Sequence, residues 1–259
     1  MNRATCVYCG HENITAGDVW VCNYCEMAMN SANAMSKLGD GTLQESLKAV
    51  NGGISAGNFD AALAEYEKLA AKYKEPQFYY REGLICFQQS NAEVEQVRYD
   101  RKGFMEENAV HRANASKIES KAKTILYKAS VLCQTEMKSG IEDPFLGFAY
   151  FMINVKIGNL KTAKDGIAVI DKHGNAYLSG YANMVFSAEL GRYWDVIAHA
   201  NALTKSDMFS PNAYYYIAWA LFKLRRHRES MHIVRELEKY IKTGSVYALM
   251  HDIQKTSTI

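Results

Sequence analysis

Turn signals recur at a regular interval along most of this 259-residue chain. The three prolines, Pro76, Pro144 and Pro211, are separated by 68 and 67 residues, close to two repeats of about 34 residues. A second series of turns, out of phase with the prolines, has a matching spacing except for one member missing near residue 124. Its members are Gly57-Asn-Phe-Asp, Ser90-Asn91, Gly158-Asn-Leu-Lys, Gly191-Arg-Tyr-Trp and Arg225-Arg-His-Arg. This regularity indicates a repeating structural unit.

The two series together predict a repeated helix hairpin. Proline suits the first helical position, where the N–H has no helical partner, and a glycine or polar turn then separates the first helix from the second. Each hairpin keeps an apolar face that only a neighbouring hairpin can cover. We therefore predict a mainly α protein, an α-solenoid of helix hairpins over residues 43–259. The predicted hairpins lie at 43–74, 77–110, 144–174, 177–206 and 211–242, with a closing helix at 245–255.

Two stretches carry the side-chain pattern of a known repeat. One runs from Gly57 to Leu69, and the other from Pro211 to Leu237. The matching core positions are Phe59, Ala62, Leu63 and Tyr66 in the first stretch, and Tyr214, Ile217, Ala218, Leu221, Ser230 and Val234 in the second. Both stretches resemble tetratricopeptide repeats, although Arg225 stands where that family has its turn glycine. The resemblance implies stacked hairpins whose first helices line a concave surface.

Residues 92–138 interrupt the repeat. They contain no proline and many charged side chains, and apolar periodicity returns only from Ile118 to Cys133. At about 1.5 Å per residue, the segment could form one helix of about 70 Å or two antiparallel helices. We favour two helices, broken between Asn108 and Asn114. This long charged helical insertion is a natural site for homodimerisation or for a dedicated partner.

Four of the six cysteines form two matched Cys-x-x-Cys pairs, Cys6 with Cys9 and Cys22 with Cys25. Each pair brings two thiolates to one ion, and Gly10 relieves the left-handed backbone that such a turn needs. Two pairs complete a tetrahedral shell without an open position, which predicts one structural Zn²⁺. The alternative, a redox dithiol, would need one pair to open a helix in a βαβ unit, and no such unit follows.

The residues between the two pairs include Asp18-Val-Trp-Val, whose composition suits a short strand. Residues 1–30 resemble the zinc ribbons of many prokaryotic proteins, with Val7 in place of the usual proline and Glu26 in place of the second glycine. The resemblance implies a small N-terminal β zinc ribbon, and a linker then follows at residues 31–42. His11 directly follows the first pair, so we expect it to lie outside the ligand set.

Composition restricts the expected cellular location of the protein and the classes of molecule that it could bind. Thirty basic and 28 acidic side chains give a net charge of +2, which produces no global field suited to nucleic acid or an anionic membrane. The sequence has no apolar run of about 18 residues and no secretory signal pattern, so we predict a cytoplasmic protein without a membrane partner. Cys86 and Cys133 lie in apolar surroundings and are expected to be buried thiols.

Two of the predicted first helices carry apolar side chains beyond those needed between hairpins. Each set has i, i+4, i+7 spacing, which places it on one helix face. The sets are Tyr80, Leu84 and Phe87 in the second hairpin, and Tyr215, Trp219 and Phe222 in the last. Such stripes either pack against neighbouring helices or line a peptide-binding groove, where aromatic side chains bury a large area at low entropic cost.

Positive charge gathers at the turn of the last hairpin. The residues are Lys223, Arg225, Arg226 and Arg228, with His227 among them. The cluster suits an acidic or phosphate-bearing partner, and it is equally consistent with a solvated turn.

These features favour a non-catalytic adaptor or scaffold that binds a protein or peptide partner, with the ribbon as a second contact surface. The alternative is a nucleic-acid-associated regulator acting through the ribbon and the basic turn. Residues 1–40 weigh against that alternative because acidic side chains outnumber basic ones there. No histidine has a carboxylate or thiol at a catalytic spacing, and no phosphate-binding glycine loop is present, so we predict no enzymatic activity.

Overall fold

The computed structural model describes residues 2–15, 17–39, 41–97, 105–141, 143–205 and 210–257. The chain begins with two small antiparallel hairpins. Strand β1 (Asn2–Thr5) pairs with β2 (Glu12–Thr15), and β3 (Val19–Val21) pairs with β4 (Ala28–Asn30). We call residues 2–30 the ribbon.

Twelve helices follow within the described ranges. They are α1 (Ser31–Leu38), α2 (Gly41–Ser55), α3 (Phe59–Tyr73), α4 (Pro76–Glu95), α5 (Met105–Lys138), α6 (Pro144–Lys156), α7 (Leu160–Lys172), α8 (Ala176–Glu189), α9 (Tyr193–Lys205), α10 (Pro211–Lys223), α11 (His227–Glu238) and α12 (Gly244–Ser257). Consecutive helices from α2 to α11 pack in pairs, so that α2, α4, α6, α8 and α10 are the first helices of five pairs. The predicted mainly helical chain with a small N-terminal β region is confirmed.

Glycine followed by asparagine ends one helix and begins the next at several of these turns. Gly57 and Gly158 have φ values of 74° and 79°, a left-handed conformation that glycine adopts without steric cost. Asn58 and Asn159 then cap α3 and α7 by accepting a hydrogen bond from the backbone of the first turn. At the last turn Arg225 takes up the left-handed conformation itself, with a φ of 61°.

The predicted break between Asn108 and Asn114 is wrong. Helix α5 runs without interruption from Met105 to Lys138, and the chain turns earlier, after α4 ends at Glu95. Residues 98–104 lie outside the described residues. Most residues of α5 are good helix formers, including its many Glu, Lys and Ala residues, and charge by itself does not end a helix. Helix α5 is continuous through residue 124, which explains why the series of turn signals has no member there.

The predicted linker at 31–42 is also largely helical. The Asn30 side chain caps α1 by accepting a hydrogen bond of 2.9 Å from Ala32 N. Lys37 near the end of α1 forms an ion pair with Glu75, which directly precedes α4. The ribbon is therefore joined to the helices by an ordered element.

One continuous apolar core includes both the ribbon and most of the helices. Ribbon residues such as Val7, Trp20 and Met27 belong to the same buried cluster as side chains from α2 to α10. A second, smaller cluster joins α10, α11 and α12. Cys86 and Cys133 are fully buried, as the sequence predicts. The ribbon is thus part of the main core and contributes to its packing.

Candidate metal centre

The two cysteine pairs converge inside the ribbon. All four side chains are at most 1% exposed. The Sγ atoms of Cys6 and Cys25 lie 3.6 Å apart, as do those of Cys9 and Cys22, and all four Sγ atoms fall within 4.8 Å of one another. A tetrahedral ion with metal–sulfur bonds of about 2.3 Å separates its sulfurs by about 3.8 Å. These four cysteines can therefore hold a metal ion.

The backbone at the two pairs is nearly identical. In the first, Gly10 N donates to Cys6 O at 2.8 Å and Cys6 N donates to His11 O at 3.0 Å. In the second, Glu26 N donates to Cys22 O at 3.0 Å and Cys22 N donates to Met27 O at 2.9 Å. Gly10 and Glu26 occupy the equivalent left-handed position, with φ values of 74° and 57°. A glutamate in the place of the second glycine therefore leaves this turn intact, at some conformational cost.

Hydrogen-bond donors point at the sulfur of Cys22. Tyr24 N lies 3.4 Å and Asn13 Nδ2 lies 3.5 Å from that Sγ. Asn13 is 3% exposed, and its Oδ1 accepts from Asn23 N at 2.8 Å, which fixes the orientation of the amide. Donors in this position stabilise a thiolate, and outer contacts of this kind orient metal ligands.

Without a bound cation, burial disfavours the charged thiolate form of the cysteines. It raises the pKa of Cys6 and of Cys25 well above the usual thiol value. A bound cation favours the thiolate form instead, so metal binding would release protons from this cluster.

His11 lies beside the cluster without joining it. Its ring stacks on Tyr24, with centroids 4.0 Å apart, and its Nδ1 lies 3.2 Å from Cys9 O. Within the described residues, the group of four candidate ligands contains only cysteines.

The ribbon packs against the first helices of the helix pairs. Asn51 of α2 donates to Cys9 O at 2.8 Å, and Phe78 of α4 meets the ring of Tyr8 edge-on at 5.3 Å. Helix α6 contacts strand β4. The Tyr66 hydroxyl, from α3, donates to Tyr8 O.

Contacts continue along the later helices. Asn212 of α10 donates to Cys22 O at 3.2 Å across 190 residues of sequence. Burial raises the pKa of the Tyr177 hydroxyl of α8, and the nearby Ser210 side chain and Val21 backbone partly oppose that rise. Helices α2, α4, α6, α8 and α10 thus all contact the ribbon, which covers the side that these first helices share.

Glu26 projects from the second cysteine turn toward these helices. Its carboxylate accepts a hydrogen bond from the Tyr216 hydroxyl at 3.1 Å and pairs with Lys156 at 3.4 Å. Burial, followed by the charge of Glu26, raises the pKa of Tyr80 and of Tyr216 well above the usual value. Glu26, which stands where the usual ribbon pattern has a glycine, therefore helps to attach the ribbon to the helices.

The Tyr66 contact gives a first prediction. We expect Tyr66→Phe to lower the free energy of unfolding by about 1–3 kcal/mol, because the buried carbonyl of Tyr8 loses its donor. The matched control is Tyr80→Phe, since the equally buried Tyr80 hydroxyl has no partner among the described residues. Urea unfolding of both variants measures the difference. Equal stability of the two would mean that the Tyr66 hydroxyl does not help to hold the ribbon.

The predicted apolar stripes are partly or fully covered. Tyr80 is completely buried, so it offers no surface to a partner in this arrangement. Leu84 and Phe87 are half-buried against the main core. The other stripe is half-buried as well: Tyr215 and Phe222 pack against the second cluster, and Trp219 contacts Tyr193 edge-on at 5.5 Å.

The predicted basic cluster lies on the surface but is partly compensated. Arg226 forms two hydrogen bonds of 2.6 Å with Glu229 and lies over the ring of Trp194, 5.7 Å from its centroid. Arg225 and Arg228 are exposed. Lys223 lies 5.7 Å from the Trp219 centroid. Trp194 is 60% exposed, which sequence reasoning did not anticipate.

No family model matches this chain, and no curated protein matches it. Four clustered cysteines beside a small hairpin sheet, followed by a helical body, fit a zinc ribbon joined to helices. None of the described helices combines the length and the apolar character needed to cross a bilayer.

Sequence reasoning found the four cysteines but missed the residues that hold the ribbon in place. Asn51, Tyr66, Asn212 and Tyr216 reach the ribbon from helices between 42 and 190 residues away in sequence. The only local signal is a polar side chain at an otherwise buried helix position, as at Asn212. A buried polar side chain indicates that it has a hydrogen-bond partner within the fold, but the sequence does not identify the residue that it contacts.

Proposed function

We propose that this protein is a non-catalytic scaffold for protein–protein interaction, a solenoid of tetratricopeptide-like hairpins whose shape depends on a structural Zn²⁺. The observation that carries the proposal is the common core of the ribbon and the helices. Four buried sulfurs suit Zn²⁺ and leave it no open coordination position for water or substrate. A closed metal site inside a core favours a structural role.

The position of the ribbon bears on where a partner would bind. Because the ribbon covers the side shared by the first helices, that side offers little room for a peptide groove. The exposed edge around Trp194, where α9 begins and the α10–α11 turn approaches it, is a better candidate. We call Leu190, Trp194, Arg225, Arg226 and Arg228 the aromatic-basic edge.

The composition of this edge suits an acidic protein segment. Trp194 is 60% exposed and lies beside Arg226, and Leu190 at the end of α8 is 42% exposed. Tryptophan and arginine are the residues most enriched among those that dominate binding energy at interfaces. Arginine also forms bidentate contacts with carboxylates. The ribbon is less suited to nucleic acid, because its exposed Arg3 is already paired with Glu12 at 3.3 Å.

The second prediction tests the edge. In affinity capture from lysate, we expect Trp194→Ala to reduce recovery of an acidic protein partner at least about tenfold, since loss of an interface tryptophan typically costs about 2 kcal/mol or more. Tyr127→Ala, at a comparably exposed aromatic on α5, is the matched control and should leave recovery unchanged.

Nuclease treatment separates the two classes of partner. A protein partner should survive nuclease and be weakened by salt, because the edge is basic. Capture that disappears with nuclease would favour the nucleic-acid alternative. Equal capture by both aromatic variants would remove the edge from the proposal.

A further inference from the structure

Arg81 is a buried cation that forms no ion pair with any acidic side chain among the described residues. It lies in α4 and is 4% exposed, and its Nε has no hydrogen-bond partner in the part of the chain that the structure describes. A buried arginine is normally paired, because an isolated charge in a protein interior is strongly unfavourable.

Arg81 lines a cavity of about 310 Å³ at the junction of the ribbon, α2, α4 and the start of α12. Among the residues that the structure describes, none that lines the cavity is acidic. The lining residues include His11, Tyr24, Thr243, Gly244 and Ser245. The cavity therefore combines an uncompensated cation with neutral polar side chains.

The N-terminus of α12 supplies further donors to this cavity. Val246 N and Tyr247 N both donate to Thr243 O, whereas Gly244 N and Ser245 N make no hydrogen bond with the backbone of any described residue. Orphan N–H groups at a helix start, together with the helix dipole, favour an anion. The Thr243 and Ser245 hydroxyls, 2.9 Å apart, add two more polar groups.

The cavity is large enough for a ligand bigger than a single inorganic ion. About 310 Å³ is at the lower end of the range for small-molecule sites. The stacked rings of His11 and Tyr24 form one part of its wall. We propose that this cavity binds a small organic molecule through an oxyanion group, a phosphate or a carboxylate, held by Arg81 and the N-terminus of α12.

A competing explanation is that Arg81 compensates the negative charge of a metal–thiolate centre. The two explanations differ in what an Arg81 variant loses. Loss of the anion site changes the affinity for phosphate or acetate, whereas loss of a counter-charge changes the amount of bound metal.

The test is isothermal titration calorimetry of the intact, metal-loaded protein with inorganic phosphate and with acetate, each at constant ionic strength. We expect saturable binding of at least one probe at a single site. Arg81→Gln should weaken it at least tenfold. Ser245→Asp should also weaken binding at least tenfold, because it places a negative charge at the start of α12. Ser245 is exposed there, and an acidic side chain at a helix N-terminus is favourable, so this variant should fold. Arg228→Gln, which removes an exposed charge outside the cavity, should have no effect.

Each other outcome overturns the proposal. Such outcomes are no saturable binding of either probe, undiminished binding in Ser245→Asp, or loss of binding in Arg228→Gln. Loss of metal from Arg81→Gln with unchanged anion binding would assign Arg81 to the metal centre. Should Arg81→Gln fail to fold, Ser245→Asp decides alone. The stronger of the two probes identifies phosphate or carboxylate as the preferred group.

Discussion

Replacing Cys22 and Cys25 by serine is expected to unfold the helices together with the ribbon. A structural zinc contributes about 10–16 kcal/mol in zinc-finger peptides, and the stability of a whole domain is about 5–15 kcal/mol. Because the ribbon shares its core with α2 to α10, losing the metal exposes apolar surface on the helices as well. We expect the far-ultraviolet helical signal to fall at 25 °C, or the melting temperature to drop by more than about 10 °C.

Two controls separate the metal from the cysteines themselves. Cys133→Ala removes a buried thiol outside the cluster, and it should keep one bound zinc and the helical signal. A strong chelator added to the unmodified protein should reproduce the effect of the double serine variant. Helices that melt at an unchanged temperature after chelation would contradict the scaffold proposal, because the ribbon would then be a separate appendage.

Substituting Gly166 by alanine is expected to destabilise the pair of α6 and α7 by about 1–2 kcal/mol. A Cβ at this position would lie 2.6 Å from Gly147 O and 2.8 Å from Phe151 N, both backbone atoms of α6. Backbone cannot move aside as a side chain can, so the two helices must separate, and overpacking of this kind typically costs about 1–3 kcal/mol. The higher helix propensity of alanine offsets only part of this cost.

The matched control is another glycine within a helix. Gly52 lies on the exposed side of α2, and a Cβ there would have no atom within 4 Å. Gly52→Ala should therefore raise stability by about 0.5–1 kcal/mol. Urea unfolding of both variants gives the comparison, and the same sign of effect for the two would show that α6 and α7 do not approach as closely as described.

Local patterns predicted the secondary structure well. The ends of most helices follow from prolines at the first helical position and from Gly-Asn turns, because both act within one turn of backbone. Charge density was a weaker guide, since it suggested a break within α5 that strong helix formers do not need. Composition likewise did not indicate the helix within residues 31–42, which begins because the Asn30 side chain caps it.

Sequence patterns alone identified the four clustered cysteines, the helical class of the body and the positions of most of its turns. These properties depend on spacings of a few residues or on a short repeat, so the residues responsible are near neighbours in the chain. The packing of the ribbon against the first helices and the complete burial of Tyr80 became evident only in the folded chain. That arrangement depends on contacts such as Asn212 with Cys22, 190 residues apart. An apolar helix face indicates that another element covers it, but the pattern does not identify that element. The identity of the covering element depends on contacts between residues far apart in sequence.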